Sequence, residues 1–121
     1  MAFADPQSVT INAVANSLPR VSSGINSGVF SKDDGTVKLT VSHQYGKRNR
    51  RTVRVDHQKI VPDPLVSSTN VRASMSVYIV ADIPANGAYT VAEAKQIVDA
   101  LTGYLTASSG ARTTQLLGGE N

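Results

Sequence analysis

Apolar and polar residues alternate along three stretches of the chain. In TVKLTVSHQ, Val37, Leu39 and Val41 fall on one side, and Lys38, Thr40, Ser42 and Gln44 on the other. That is the period-two signature of a strand with one wet face. The alternation resumes after the interval Tyr45-Gly46-Lys47-Arg48-Asn49, with Val53 and Val55 opposite Thr52, Arg54 and Asp56. Two alternating strands and a short connection make a hairpin. A third stretch sets Val71, Ala73, Met75, Val77 and Ile79 against Arg72, Ser74, Ser76 and Tyr78. These patterns predict strands over 37–45, 51–61 and 71–81, the last two separated by PDPLVSSTN, a Pro-containing polar loop.

The remaining segments read less regularly. Short apolar pieces interrupted by Asn, Ser, Gly and Pro predict strands over 8–14, 17–22 and 27–32, with Pro19 confining its strand to an edge or an irregular stretch. Asp34-Gly35 supplies the positive φ angles of a tight hairpin. Beyond Asp82-Ile83-Pro84, Thr90 and Glu93 have the spacing of a capping box. Val91, Ala94, Val98, Leu101 and Leu105 then recur at helical spacing, which predicts a helix over 91–107. A shorter helix over 111–117 follows Ser108-Ser109-Gly110 and ends at Gly118-Gly119. At 121 residues the chain is expected to form a single α+β domain spanning 1–121.

If the apolar faces of the three long strands bury together against the helix, then Lys38, Thr40, Ser42, Gln44, Thr52, Arg54, Asp56, Arg72, Ser74, Ser76 and Tyr78 share the opposite face. A polar face is ordinary in an antiparallel sheet, so it proves nothing alone. Charge changes the picture. The formal net charge is only +3, yet Lys47, Arg48, Arg50, Arg51 and Arg54 lie within residues 41–55 with no acid among them. A hairpin tip kept charged against edge aggregation would be served as well by mixed Lys and Glu. Unrelieved cations beside hydroxyl and amide side chains instead suit a polyanion, neutralising phosphates and reaching base or sugar edges. Arg50 and Arg51, in the predicted loop 47–51, join the candidate nucleic-acid-binding residues on this ground.

Composition excludes several classes. The apolar fraction is 40%, the charged fraction 17%, and the longest apolar run, VYIVA, is far short of a bilayer span, so no membrane partner is expected. MAFADPQSV lacks the basic-then-apolar layout of a secretion signal. Without cysteine there is no disulfide, thiolate nucleophile or zinc knuckle. His43 and His57 fall on the inward side of their strands by parity, where packed histidines outnumber metal ligands. No serine sits in a G-x-S-x-G turn, and no phosphate-cradling glycine loop occurs. Neither an enzyme, a cofactor, a metal nor a small-molecule substrate is expected. Asp56 can pair with Arg54 or Arg72 or accept from a base amino group, and Tyr78 can stack on a base or simply cover the sheet.

The succession VKLTVSHQ, GKRNRR, TVRVDHQKIV, a Pro-rich interval, VRASMSVYIV and a terminal amphipathic helix resembles the coat proteins of single-stranded RNA bacteriophages, the levivirus type. The resemblance implies an N-terminal β-hairpin, a five-stranded antiparallel sheet and C-terminal helices, with two subunits intertwined as a homodimer. It implies dimers assembled into an icosahedral shell in the cytoplasm of a bacterial host. It also implies genomic RNA packaged inside the virion, and an RNA hairpin bound to the sheet so that the protein acts as a translational repressor. The surface implied for that RNA corresponds to Lys38, Thr40, Ser42, Gln44, Thr52, Arg54, Asp56, Ser74 and Ser76, residues that the alternation already places together. One departure stands out: Ser74 occupies a position where the family often has a base-stacking tyrosine, so that contact is lost or taken over by Tyr78. The alternative to a shell protein is a small nucleic-acid-binding β-sheet protein that never assembles.

Overall fold

The computed structural model describes residues 3–66 and 68–121. The chain divides into two compact units, Met1–Asp82 and Ile83–Asn121. The first begins with a two-stranded hairpin, β1 (Gln7–Ile11) and β2 (Val14–Leu18), followed by a five-stranded sheet. The sheet contains β3 (Arg20–Gly24), β4 (Ser27–Ser31), β5 (Val37–Gln44), β6 (Arg48–Pro62) and β7 (Asn70–Pro84), adjacent in chain order. The pairings from β3 to β6 are antiparallel. Contacts of Arg48 with Asp82 and of Arg54 with Tyr78 show β7 running back along β6.

The N-terminal segment differs from the sequence expectation. The expected strand 8–14 is broken by a two-residue turn at Asn12 and Ala13, with φ of 49° and 64°. Positive φ at both positions matches the twist of a tight hairpin, and Ala13 conceals it because alanine rarely takes that conformation. The expected strand 17–22 is two strands, because Pro19 cannot donate to a ladder and the chain passes there from the hairpin into the sheet. Its carbonyl still accepts from the Ser31 N–H at 3.1 Å.

Alternation in β5 dictates the core. Val37, Leu39 and Val41 are buried on one face and join Leu18 of β2 and Phe30 of β4. Val9, Ile11 and Val55 pack around that cluster, so the hairpin covers part of the underside of the sheet. Asn16 is a buried polar residue there and is fully engaged: its Nδ2 donates to the Val9 and Val14 carbonyls, and its Oδ1 accepts from Lys32 Nζ. The cover is incomplete. Val53, Met75 and Val77 on the same underside are 43%, 53% and 57% exposed. Ile11, Val55, His57, Ala73, Met75 and Val77 line an apolar hollow of about 440 Å³.

The second unit is built on α1 (Val91–Leu117). The Thr90 hydroxyl accepts from the Glu93 N–H at 3.2 Å and satisfies one of the free donors of the first turn. Ala107 is extended and Ser108, Ser109 and Gly110 are left-handed, so the helix is interrupted at the Ser-Ser-Gly where the sequence separates two helical segments. Thr113 Oγ1 donates to the Leu105 carbonyl across the break at 2.7 Å. No side chain of α1 is buried, and Ile97, Leu101 and Tyr104 remain half exposed or more.

Candidate nucleic-acid interface

Register settles which side chains share the wet face. Lys38 pairs with Asp56, Thr40 with Arg54, Ser42 with Thr52 and Gln44 with Arg50. Directly opposed residues of a ladder project to the same side, and here that side is opposite the buried Val37, Leu39 and Val41. The β4 register adds Ser27, Val29 and Ser31, which face Ser42, Thr40 and Lys38. Sequence reasoning missed these three. The signal was present in SGVFS, where a core Phe30 forces its neighbours outward.

On the far side of β6, Ser74 and Ser76 of β7 complete a shallow depression of about 520 Å³ with Lys38, Thr40, Arg54 and Asp56. Tyr78 lies next to it, with the Arg54 guanidinium 5.8 Å from the centre of its ring. Arg54 Nε also donates to Asp56 Oδ1 at 2.9 Å, so Asp56 takes the pairing role with Arg54 rather than Arg72. Arg72 lies toward the other end of the strand, around a hollow shared with Asp34, Thr36, Gln58 and Lys59. There the Asp34 carboxyl is held below its ordinary value because it accepts from the Thr36 N–H and hydroxyl at 3.0 and 2.7 Å.

The basic run departs from the expectation in two ways. It is not a loop: only Tyr45, Gly46 and Lys47 intervene between β5 and β6, and Arg48 through Arg51 belong to the strand. Their charges therefore alternate between faces. Arg50 is on the wet face opposite Gln44, but Arg51 is opposite His43 on the other side, with Val41 and Val53. Its Nη1 lies 3.2 Å from His43 Nδ1 and donates to the Tyr45 hydroxyl at 3.3 Å, while the guanidinium stands 5.4 Å from the centre of the Tyr45 ring. Arg51 is thus not brought together with the other candidate residues.

Parity instead adds Arg48, and an acid the sequence reading left out. Asp82 Oδ1 is 2.9 Å from Arg48 Nε, and its Oδ2 is 3.9 Å from Arg50 Nε. Arg48 Nη2 also donates to the Asp82 carbonyl at 3.4 Å. All three side chains are substantially exposed, and such pairs contribute no more than about 1 kcal/mol each. The face so assembled carries Lys38, Arg48, Arg50, Arg54 and Arg72 against Asp56 and Asp82, interleaved with Ser, Thr and Gln. That arrangement can neutralise several phosphates of one strand and present hydroxyl and amide groups to sugars or base edges.

No family model matches the chain, and no curated protein does. Solved structures are similar in fold. The virus-like particle protein of Beihai levi-like virus 21 superposes with a TM-score of 0.72 at 10% identity, covering 96% of this chain and 94% of that one. That of bacteriophage AVE019 gives 0.68 at 12% identity over 87% and 88%. The protein capsid of bacteriophage GA gives 0.55 at 16% over 92% and 94%. The hairpin, the five-stranded sheet and the C-terminal helix of this chain make up the fold of levivirus-type coat proteins.

Proposed function

We propose that the chain is the coat protein of a single-stranded RNA phage, a structural protein that assembles as dimers into an icosahedral shell around the genome. The observation that carries the reading is one cationic, hydroxyl-rich sheet face on a fold shared with phage particle proteins along nearly their whole length. Lys38, Arg54 and Arg72 hold phosphates, and Arg50 does so at the expense of its contact with Asp82. Thr40, Ser42, Gln44, Thr52, Ser74 and Ser76 contact sugars and base edges of an RNA hairpin, through which the protein represses translation and selects the genome. Tyr78, exposed beside Arg54, offers a stacking surface that Ser74 cannot. Packaging takes place in the bacterial host's cytoplasm, and the virion is the final location.

Dimerisation has its own support. β7 is a 15-residue edge strand, a long row of backbone groups open to pairing. The exposed apolar residues Met75 and Val77 under the sheet, and Ile97, Leu101 and Tyr104 on α1, need a cover that a second copy supplies.

The test is production of the full-length protein in bacteria, followed by size exclusion, electron microscopy and sequencing of nuclease-protected RNA. Uniform closed particles containing protected RNA are expected. A dimer that binds RNA yet never forms particles would replace this reading with a non-assembling nucleic-acid-binding sheet protein.

A further inference from the structure

Asp82, Arg48 and Arg50 lie outside the buried cluster under β4 and β5, on exposed positions of the sheet. Each carboxylate oxygen faces a different arginine, and the Asp82 carbonyl takes a second contact from Arg48. The three side chains stand on the same face as Arg54 and Lys38, toward the β5–β6 turn. Two cations thus share one internal anion. Because these groups are 41% to 58% exposed, the pairing is weak enough for a polyanion to exchange with it.

We propose that Asp82 is a specificity-determining residue of this face: a built-in counterion that masks Arg48 and Arg50 and suppresses sequence-independent binding of RNA phosphates at that end of the sheet. The proposal rests on the reading of the face as an RNA-binding surface. Arginines that share a carboxylate neutralise phosphates less fully, so fewer of the RNA's condensed counterions are released. Near the Lys38–Arg54 depression, Asp56 pairs with Arg54 alone and Lys38 has no acid within ion-pair distance among the described residues. The unmasked charge there is that of Lys38, which shares the depression with Thr40, Ser74 and Ser76, where hydroxyl groups can discriminate.

The test is titration of a fluorescent 20-nucleotide RNA of mixed sequence against the full-length protein over a range of salt. At low ionic strength a carboxylate about 6 Å from a phosphate in water opposes it by an amount worth about threefold in affinity, falling toward about twofold as salt screens it. Asp82→Asn is expected to bind about threefold tighter, with a salt slope steeper by about 0.7, and Asp82→Glu to bind like the wild type. Arg50→Ala should cost more affinity in the Asp82→Asn background than alone, since only there is Arg50 unmasked. An Asp82→Asn protein no tighter than wild type, or an equal cost of Arg50→Ala in both backgrounds, overturns the proposal while Arg54→Ala still weakens binding. Arg54→Ala without effect on binding overturns the RNA-binding reading of the face, and this inference with it.

Discussion

Phe30→Ala is the sharpest probe of how this small core holds the sheet. Phe30 is 1% exposed on β4, between Arg20 of β3 and Leu39 of β5 in the ladder, and it touches the core cluster that also contains Leu18 and Val37. Truncation leaves a cavity into which the surrounding cluster relaxes only in part, a loss of about 3–5 kcal/mol. The Arg20 guanidinium, 5.0 Å from the ring centre, loses its platform, which adds about 0.5–1 kcal/mol. Its Nε is buried with no hydrogen-bond partner among the described residues, and its Nη2 donates to the Phe3 carbonyl at 2.7 Å. Phe30→Leu keeps most of the volume and should cost less than about 1.5 kcal/mol. Urea unfolding followed by far-ultraviolet circular dichroism, at one protomer concentration for all variants, reads the difference. With a slope of about 1.5 kcal/mol per molar urea, Phe30→Ala lowers the midpoint by about 2–4 M. A shift below about 0.5 M, or equal shifts for the two variants, would refute the assignment of Phe30 as the centre of the core.

Arg54→Ala and Lys38→Ala should each flatten the salt dependence of RNA binding by about 0.7–0.9 in log–log slope, one phosphate contact apiece, as measured by the same RNA titration. Thr90→Ala removes the hydroxyl that accepts from Glu93 and should cost about 1 kcal/mol of helix stability, visible as faster amide exchange at residues 92–94, with Thr90→Ser restoring protection. The lowered Asp34 carboxyl gives a pH test. Its contribution is present above the ordinary value of 3.8 and is lost as pH falls through the lower folded value. The difference in melting temperature between wild type and Asp34→Ala should therefore be larger at pH 7 than at pH 2, and a constant difference would contradict the turn's role.

The long strands were legible because one buried face forces strict alternation, and register preserves it: Thr40 and Arg54, read separately as wet-face residues, prove to be direct partners. Parity applied to the whole of β6 would also have sent Arg51 to the side of Val53. Treating the basic run as loop hid this, because consecutive charges mask a period of two. Asp82 was read as part of the break after a strand ending at 81 rather than as a wet-face position of β7, two residues on from Val80 and four from Tyr78. At the N-terminus the obstacle was turn chemistry: Asn12-Ala13 carries no glycine, and Pro19 marks a change of sheet as well as the start of an edge strand whose register shifts between Arg20 and Ser22. The arginine pairings with Asp82 depend on how β6 and β7 align, which no local pattern specifies.

Ultraviolet crosslinking of RNA within purified particles, followed by mass spectrometry of the crosslinked peptides, tests the central claim most directly. Crosslinks concentrated on Tyr78 and on the wet-face residues of β5, β6 and β7 are the expected result. Crosslinks confined to the opposite face, around His43, Arg51 and Met75, would contradict it.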